Sequence, residues 1–396
     1  MLQDLKQLPA DPILGLSARY QQDENPEKVD LGVGVYKDDN GKTIIMSAVQ
    51  KAFDHLAATE GSKVYVSPAG YPGFIEHVSK LIFGESLSDF GHGKIGAVQT
   101  PGGCGALRLG FDLIAANSPQ SSAWVSNPTW ANHVPIIGAA GLEHRVYDYY
   151  DHATSSINFA AMCDSLQNAK EGDVVLIHGC CHNPTGADIS TDQADKLISI
   201  INERSLIPFI DMAYQGFANG LEEDSILVRS IFQACPEAFL TYSCSKNFGL
   251  YRERTGAVFV KGNNQDCGSA IVTHLNKIAR ESYSMPPSHG AAIVTTILES
   301  ENLQEEWKSE LIEMQQRMLH LRSLFDGHLK AIDIGSNVAD VANQSGMFSM
   351  LNISPQQVEL LQKDSSIYMP SNGRVNIAGL TEQKIPYVVN AIKNCL

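Results

Sequence analysis

Val174-Val175-Leu176-Ile177-His178, then Thr191–Arg204, then Ile207-Pro208-Phe209-Ile210-Asp211, is the stretch that decides the fold. The first and third segments are short apolar runs that end on a polar residue. Such runs read as strands buried on both faces. Between them, Thr191–Arg204 carries a helix-like pattern. Strand, helix and strand in this order make a crossover unit, which implies parallel strands with a helix packed on the sheet.

The same alternation extends in both directions. Ile95–Val98, Ala123–Ser126, Leu142–Tyr147, Phe239–Tyr242 and Ala257–Val260 complete a set of seven predicted strands, and Asn158–Ala169 is a further predicted helix. The expected fold class is therefore α/β, with a mostly parallel seven-stranded sheet covered by helices. Ligands of such sheets bind at the carboxyl ends of the strands. Asn127, Asn183, Asp211 and Ser243 fall there.

The character changes beyond residue 301. Leu303, Trp307, Leu311, Met314, Met318 and Leu321 recur at helical steps, a stripe that reads as core packing. A smaller α+β segment follows, with strands at Met347–Leu351 and Val375–Ile377 and helices at Pro355–Gln362 and Thr381–Asn394. The chain exceeds the length at which single cores stop growing. The predicted division is residues 1–45 as an N-terminal arm and part of the small domain, 46–301 as the large domain, and 302–396 as the small one.

Composition narrows the function. A formal net charge of −15 with no basic run argues against nucleic-acid binding. No segment reaches the length of a membrane span, and the N-terminus has no apolar core of signal-peptide length. The 8 cysteines include no Cys-x-x-Cys pair, so neither a metal site nor a disulfide framework is expected. Buried reduced thiols and a cytoplasmic location are.

Several motifs carry chemistry. Ser243-Cys244-Ser245-Lys246-Asn247-Phe248-Gly249, followed by Arg252 and Arg254, places a lysine just after a strand. Hydroxyls before it and an arginine after it suit a phosphorylated aldehyde, with the amine forming a Schiff base and Ser243, Ser245 and Arg254 holding the phosphate. Asp211 and Tyr214 in Ile210-Asp211-Met212-Ala213-Tyr214 suit a protonated ring nitrogen and a ring oxygen. Asn183 lies in the turn Cys181-His182-Asn183-Pro184-Thr185-Gly186. Thr100-Pro101-Gly102-Gly103-Cys104-Gly105 lies between a strand and a helix, where freed backbone N–H groups favour anions. Arg280 and Arg374 are candidate carboxylate clamps. Taken singly, each reading has a plain rival: a loop lysine, a helix-capping aspartate, an ordinary turn, a surface arginine.

In this order and combination the motifs resemble the class I pyridoxal-phosphate-dependent aminotransferases of the aspartate and aromatic amino acid type. The resemblance runs from Asp11-Pro12-Ile13-Leu14 to Arg374-Val375-Asn376-Ile377-Ala378-Gly379 and includes Ser126-Asn127-Pro128-Thr129-Trp130 and Ala213-Tyr214-Gln215-Gly216-Phe217. It implies the type I fold of those enzymes, pyridoxal 5'-phosphate as cofactor, and a homodimer with shared active sites. It implies Lys246 as Schiff-base and proton-transfer residue, Asp211 against the pyridine nitrogen with His133 and His178 in support, and Tyr214 and Asn183 at the ring oxygen. Trp130 would stack on the ring. Gly103, Cys104, Ser243, Ser245 and Arg254 would hold the phosphate, joined by Tyr65 from the neighbouring subunit. Gly34, Trp130, Asn183 and Arg374 would bind substrate, and Arg280 of the neighbour would grip a distal carboxylate.

The implied reaction moves an amino group between L-aspartate or aromatic L-amino acids and 2-oxoglutarate by a ping-pong mechanism. Cys104 departs from the family's usual Thr or Ser. Val64 and Met285 are apolar where aspartate-specific members tend to be polar, whereas Val35, Lys37 and Thr43 look aspartate-specific. The alternatives are a strict aspartate aminotransferase, another reaction of the same cofactor such as a lyase or decarboxylase, and a non-catalytic binding protein of the same fold. Nucleotide binding by the 101–105 glycines lacks the lysine such a loop needs.

Overall fold

Seven strands form the central sheet: β1 (Ile95–Pro101), β2 (Ser122–Asn127), β3 (Glu143–Asp148), β4 (Val174–His178), β5 (Ile207–Met212), β6 (Ala238–Ser243) and β7 (Thr255–Lys261). The computed structural model describes residues 2–8, 12–84, 90–332, 338 and 340–396. Asp11 of the N-terminal motif lies outside them. The spatial order is β1-β7-β6-β5-β4-β2-β3. Every neighbouring pair is parallel except those of β7, which runs antiparallel to β6 and β1. All seven predicted strands are present, with ends displaced by a few residues at most. Leu142–Tyr147, for example, is found at Glu143–Asp148.

Strand periodicity distributes the apolar residues over two layers. Val174 and Leu176 of β4 join a core with Ala106, Leu107 and Phe111 of the helix Gly102–Asn117. Val175 and Ile177 point the other way, into a core with Leu197 and Ile201 of the helix Thr191–Glu203. That helix begins on a capping box in which the Ser190 hydroxyl accepts from the Gln193 backbone N–H and the Gln193 side chain accepts from the Ser190 N–H. Strands β4, β6 and β7 are buried throughout, while the edge strand β3 is largely exposed.

The helical stripe after residue 301 lies on one helix, Glu301–Ala331, of 31 residues. It serves two cores. Trp307, Leu311, Met314 and Met318 pack into the large core, and Leu321, Phe325 and Leu329 into a second one. The second core also takes Val29 and Leu31 from the N-terminal arm, whereas Tyr36 and Met46 pack into the large one. Two short pairings frame this region: Val29–Asp30 parallel to Ile367–Tyr368, and Phe348–Met350 antiparallel to Arg374–Asn376. The strand predicted at Val375–Ile377 thus starts one residue earlier and includes Arg374. The helices predicted at Pro355–Gln362 and Thr381–Asn394 are Pro355–Ser365 and Ile385–Cys395.

Trp307 ties the long helix to the segment after β6. Its ring stacks on Phe248 at 4.4 Å and its Nε1 donates to the Asn247 carbonyl at 2.7 Å. Because Trp307 is fully buried, Trp307→Ala should cost about 3–5 kcal/mol. A urea unfolding midpoint close to that of the wild type would contradict this packing role.

Candidate active site

Sheet register brings the first three side chains together. His178 ends β4 and pairs with Asp211 of β5, which pairs with Thr241 of β6. Residues in register across adjacent strands project from the same face. Thr241 Oγ1 donates to Asp211 Oδ1 at 2.9 Å, and His133 Nε2 lies 3.0 Å from Asp211 Oδ2. His133 starts the helix His133–Ala139, and its Nδ1 meets Thr129 Oγ1 at 2.8 Å. Burial by itself would raise the Asp211 carboxyl. The hydrogen bond and charge of His133, with His178 and Thr241, outweigh it and hold Asp211 below the usual carboxylate range. Its ionised form therefore adds stability above the ordinary carboxylate range, and this is lost as pH falls through the lowered value.

Lys246 follows β6 in a tightly held segment. The Asn247 amide donates to the Tyr242 hydroxyl at 2.8 Å, and that hydroxyl donates to Gln215 Oε1 at 2.7 Å. Lys246 Nζ lies 4.8 Å from the centre of the Tyr214 ring. Burial pushes the Lys246 ammonium below its ordinary value, against the pull of Asp211. Burial also raises the Tyr214 phenol, so it stays protonated. One cavity is lined by Lys246, Asp211, Tyr214, Asn183, Trp130, His178, Gly34 and Tyr251.

The same cavity has an anion cradle. Gly103, Cys104, Ser243, Ser245 and Arg254 line it. Gly103 and Cys104 lie in the first turn of the helix Gly102–Asn117. Arg254 Nη1 donates to Ser245 Oγ at 3.3 Å, and Ser243 and Ser245 Oγ are 3.1 Å apart. Gly102 has φ 69°, and a Cβ there would lie 2.4 Å from Arg254 Nη2, so only glycine lets the backbone pass this close to the guanidinium. Arg254 itself has φ 55°, a left-handed conformation in a non-glycine residue that is common at ligand clamps. Among the described residues Lys246, Arg254 and Arg374 form no ion pair with a carboxylate. A chain of net charge −15 thus gathers three basic side chains around this site with no carboxylate in direct contact with them.

Arg374 stands beside Asn183. Its Nη1 donates to Asn183 Oδ1 at 3.2 Å and its Nη2 to the Gly32 carbonyl at 2.5 Å. The guanidinium lies 4.3 Å from the centre of the Phe348 ring, and its buried Nε has no partner among the described residues. Both ring nitrogens of buried His178 are also without a partner. Of these two residues His178 lines the cavity, where its nitrogens can take a hydrogen bond from a bound group or water.

Three of the sequence candidates do not line this cavity within one chain: Arg374 stands next to it, against Asn183, and the other two lie on the surface. Tyr65 is 87% exposed, and Arg280, at the end of the helix Cys267–Ser282, is exposed and donates to Ser284 Oγ at 2.5 Å. Lys37 is committed to Asp30 at 2.8 Å. Conversely, Thr241, Tyr251 and Phe348 are site residues that the motifs did not single out. Thr241 lies two residues before Ser243 on the same strand, hence on the same face, which is the signal that points to it. Cys180, Cys181 and Asp224 bring ligand-type atoms within 4.8 Å of one another. Asp224 already accepts from the backbone N–H groups of Gly216, Ala218 and Asn219, which gives it a structural task.

A profile of the family described as aminotransferase class I and II matches residues 26–392. The chain belongs to the class I and II aminotransferases. Its similarity to an aspartate aminotransferase of Salmonella typhi is 41% identity over 99% of both chains. Against a tyrosine aminotransferase of Rhizobium meliloti (strain 1021) it is 44%, over 93% of this chain and 94% of the other. The crystal structure of an aromatic-amino-acid aminotransferase from Burkholderia pseudomallei, covalently bound to pyridoxal phosphate, superposes with a TM-score of 0.96. That structure is 35% identical and covers 100% of this chain and 99% of its own.

For this aminotransferase, acid titration tests the buried histidine. Burial, with the neighbouring His133, pushes His178 from 6.5 down to about 3, against the pull of Asp211. The folded protein without ligand thus gains no proton there while the unfolded chain does. Stability falls between those pH values by roughly 1.4 kcal/mol per unit for each such group. His178→Leu should flatten the slope of unfolding free energy against pH by about one proton in that window. An unchanged slope would mean that His178 is protonated in the folded protein.

Proposed function

We propose that this aminotransferase moves the amino group between L-aspartate or aromatic L-amino acids and 2-oxoglutarate, with pyridoxal 5'-phosphate as cofactor and Lys246 as the residue that binds it. One observation carries the reading. A lysine whose ammonium is disfavoured by burial shares a cavity with a carboxylate held ionised and with an anion cradle. The residues fit the group. The cradle of Gly103, Cys104, Ser243, Ser245 and Arg254 suits its phosphate, Asp211 its ring nitrogen, and Tyr214 with Asn183 its ring oxygen. Trp130 and the unpartnered His178 line the same cavity.

When bound, the cofactor supplies an aldehyde that captures amines and a ring that accepts the electron pair left at the substrate α-carbon. The protein supplies the rest. Lys246 Nζ holds the cofactor and, once displaced, takes the α-proton and returns it, a task suited to an amine whose proton affinity burial has lowered. Asp211, kept ionised by His133 and Thr241, holds the ring nitrogen protonated. The Tyr214 hydroxyl donates to the ring oxygen. Arg374, already aligned by Asn183 and the Gly32 carbonyl, receives the substrate α-carboxylate in a bidentate pair, with Gly34 at its side. Two substrates in turn use the same groups, which gives ping-pong kinetics.

The roles of Tyr65 and Arg280 require a second copy. Both are exposed in the single chain, which supports a homodimer in which each reaches its neighbour's cavity, Tyr65 for the phosphate and Arg280 for a distal carboxylate. Within each chain, residues 46–301 form the cofactor-binding domain, and residues 302–396 with part of the 1–45 arm form the small one. The separate core that joins Val29 and Leu31 to residues beyond 320 supports that division. No described helix is long and apolar enough to cross a membrane, and a cytoplasmic location accords with eight free cysteines.

Substrate range follows from Arg280. Burying a Phe-sized side chain yields roughly 1.5–3 kcal/mol, less than the roughly 3–5 kcal/mol that an unpaired buried guanidinium costs. Aromatic substrates are accepted only if Arg280 turns out to water, leaving the aromatic side chain near Val64 and Met285. The purified protein should show a cofactor absorbance band that shifts on adding L-aspartate and, separately, L-phenylalanine, and Lys246→Ala should lose both shifts. A shift with aspartate alone would make it a strict aspartate enzyme, and no band after adding pyridoxal phosphate would overturn the reading. Arg280→Ala should lower kcat/KM for aspartate by roughly 10²–10³-fold, with a much smaller loss for phenylalanine. Equal loss for both would contradict the turning of Arg280.

A further inference from the structure

The loop that brings Gly34 to the cavity is held from outside by a carboxylate that the reaction does not use. Asp30 is buried, at the end of the pairing Val29–Asp30. Its Oδ1 accepts from the backbone N–H groups of Gly32 at 3.0 Å and Val33 at 3.3 Å, and its Oδ2 meets Lys37 Nζ at 2.8 Å. The Val33 N–H and the Gly32 carbonyl belong to one peptide unit. That unit is trans, so the two groups point in opposite directions from one plane. One edge of the plane is fixed on Asp30. The other presents the Gly32 carbonyl, which accepts from Arg374 Nη2 at 2.5 Å. The peptides that follow are held as well. The Val33 carbonyl accepts from Asn376 Nδ2 at 2.7 Å, and Tyr36 N–H donates to the hydroxyl of Tyr251, a residue of the cavity wall. Among the described residues the Arg374 guanidinium has two hydrogen-bond acceptors, the Gly32 carbonyl and Asn183 Oδ1. The aim of that carbonyl therefore decides the aim of one arm of the fork.

We propose that Asp30, braced by Lys37, is a positioning residue for the α-carboxylate of the substrate: it holds the Gly32–Val33 peptide so that the Gly32 carbonyl orients Arg374. The proposal rests on the reading of Arg374 as the group that receives that carboxylate. Arg374 makes the same pair with every substrate, whatever the side chain. Loss of Asp30 thus weakens amino acids and oxo acids alike, whereas loss of Arg280 discriminates among side chains. The pair is made equally before and during the reaction, so the loss falls on KM and spares kcat.

The test uses the full chain loaded with pyridoxal phosphate. Asp30→Ala should raise KM for L-aspartate, L-phenylalanine and 2-oxoglutarate by one common factor of about tenfold, change kcat by less than about twofold, and leave the cofactor band intact. Calorimetric binding of succinate, which carries carboxylates and no amine to react, should weaken by a similar factor. Asp30→Asn keeps an oxygen for both N–H groups and should restore KM and succinate binding to near the wild-type values. If Asp30→Ala does not fold, Lys37→Met carries the test: it removes only the brace and should raise all the KM values by one smaller, common factor. Unchanged KM values, a rise for one substrate alone, a loss confined to kcat, or an Asp30→Asn variant as weak as Asp30→Ala would overturn the proposal. Arg374→Ala separates this outcome from the functional reading. If it raises every KM steeply while Asp30→Ala leaves them unchanged, only this inference falls. If it too leaves them unchanged, the assignment of the α-carboxylate to Arg374 falls.

Discussion

A negative charge buried at the carboxyl end of the middle strand organises this structure. Asp211 would be driven toward its neutral form by burial alone, and three neighbours prevent it. Two of these, His178 and Thr241, are placed by sheet register, and the third, His133, by the helix that follows β2. A buried carboxylate without partners costs several kcal/mol, so this cluster must be assembled for the fold to tolerate it. Once assembled, it faces a cavity with Lys246, and its charge pulls the Lys246 proton affinity up against the effect of burial.

Rigidity around that pair comes from ordinary packing. The Lys246 segment is held by Trp307 from the long helix and by the Asn247–Tyr242–Gln215 chain of hydrogen bonds. The turn that carries Asn183 is held from the other side. Ser345 N–H donates to the Gly186 carbonyl at 2.7 Å, and Asp188 accepts from the N–H groups of Cys181 and His182 at 2.8 Å each. Gly186 has φ 69°, and a Cβ there would lie 2.4 Å from the Phe348 carbonyl oxygen, so only glycine lets the two units approach. Arg374 is thereby held against Asn183 although the two are 191 residues apart in sequence.

Much of this was legible in the sequence because local patterns carry it. The seven strands and the cradle motif are contiguous runs, and the Lys246 and Asp211 motifs sit at strand ends, where polar residues interrupt apolar ones. What escaped depends on register or on contacts between distant segments. Thr241 becomes a partner of Asp211 only when β5 and β6 align, which no single strand's pattern determines. Phe348 becomes the platform under Arg374 only when two three-residue strands pair. The long helix reads as one stripe in sequence, yet its two halves serve different cores, since periodicity reports which face is buried and not against what.

The central claim is that Lys246 is the amine that captures the cofactor. Borohydride reduction of the protein loaded with pyridoxal phosphate, followed by peptide mass spectrometry, tests it directly. The account predicts a phosphopyridoxyl group fixed on Lys246. Fixation on another lysine, or none despite a bound cofactor, would contradict it.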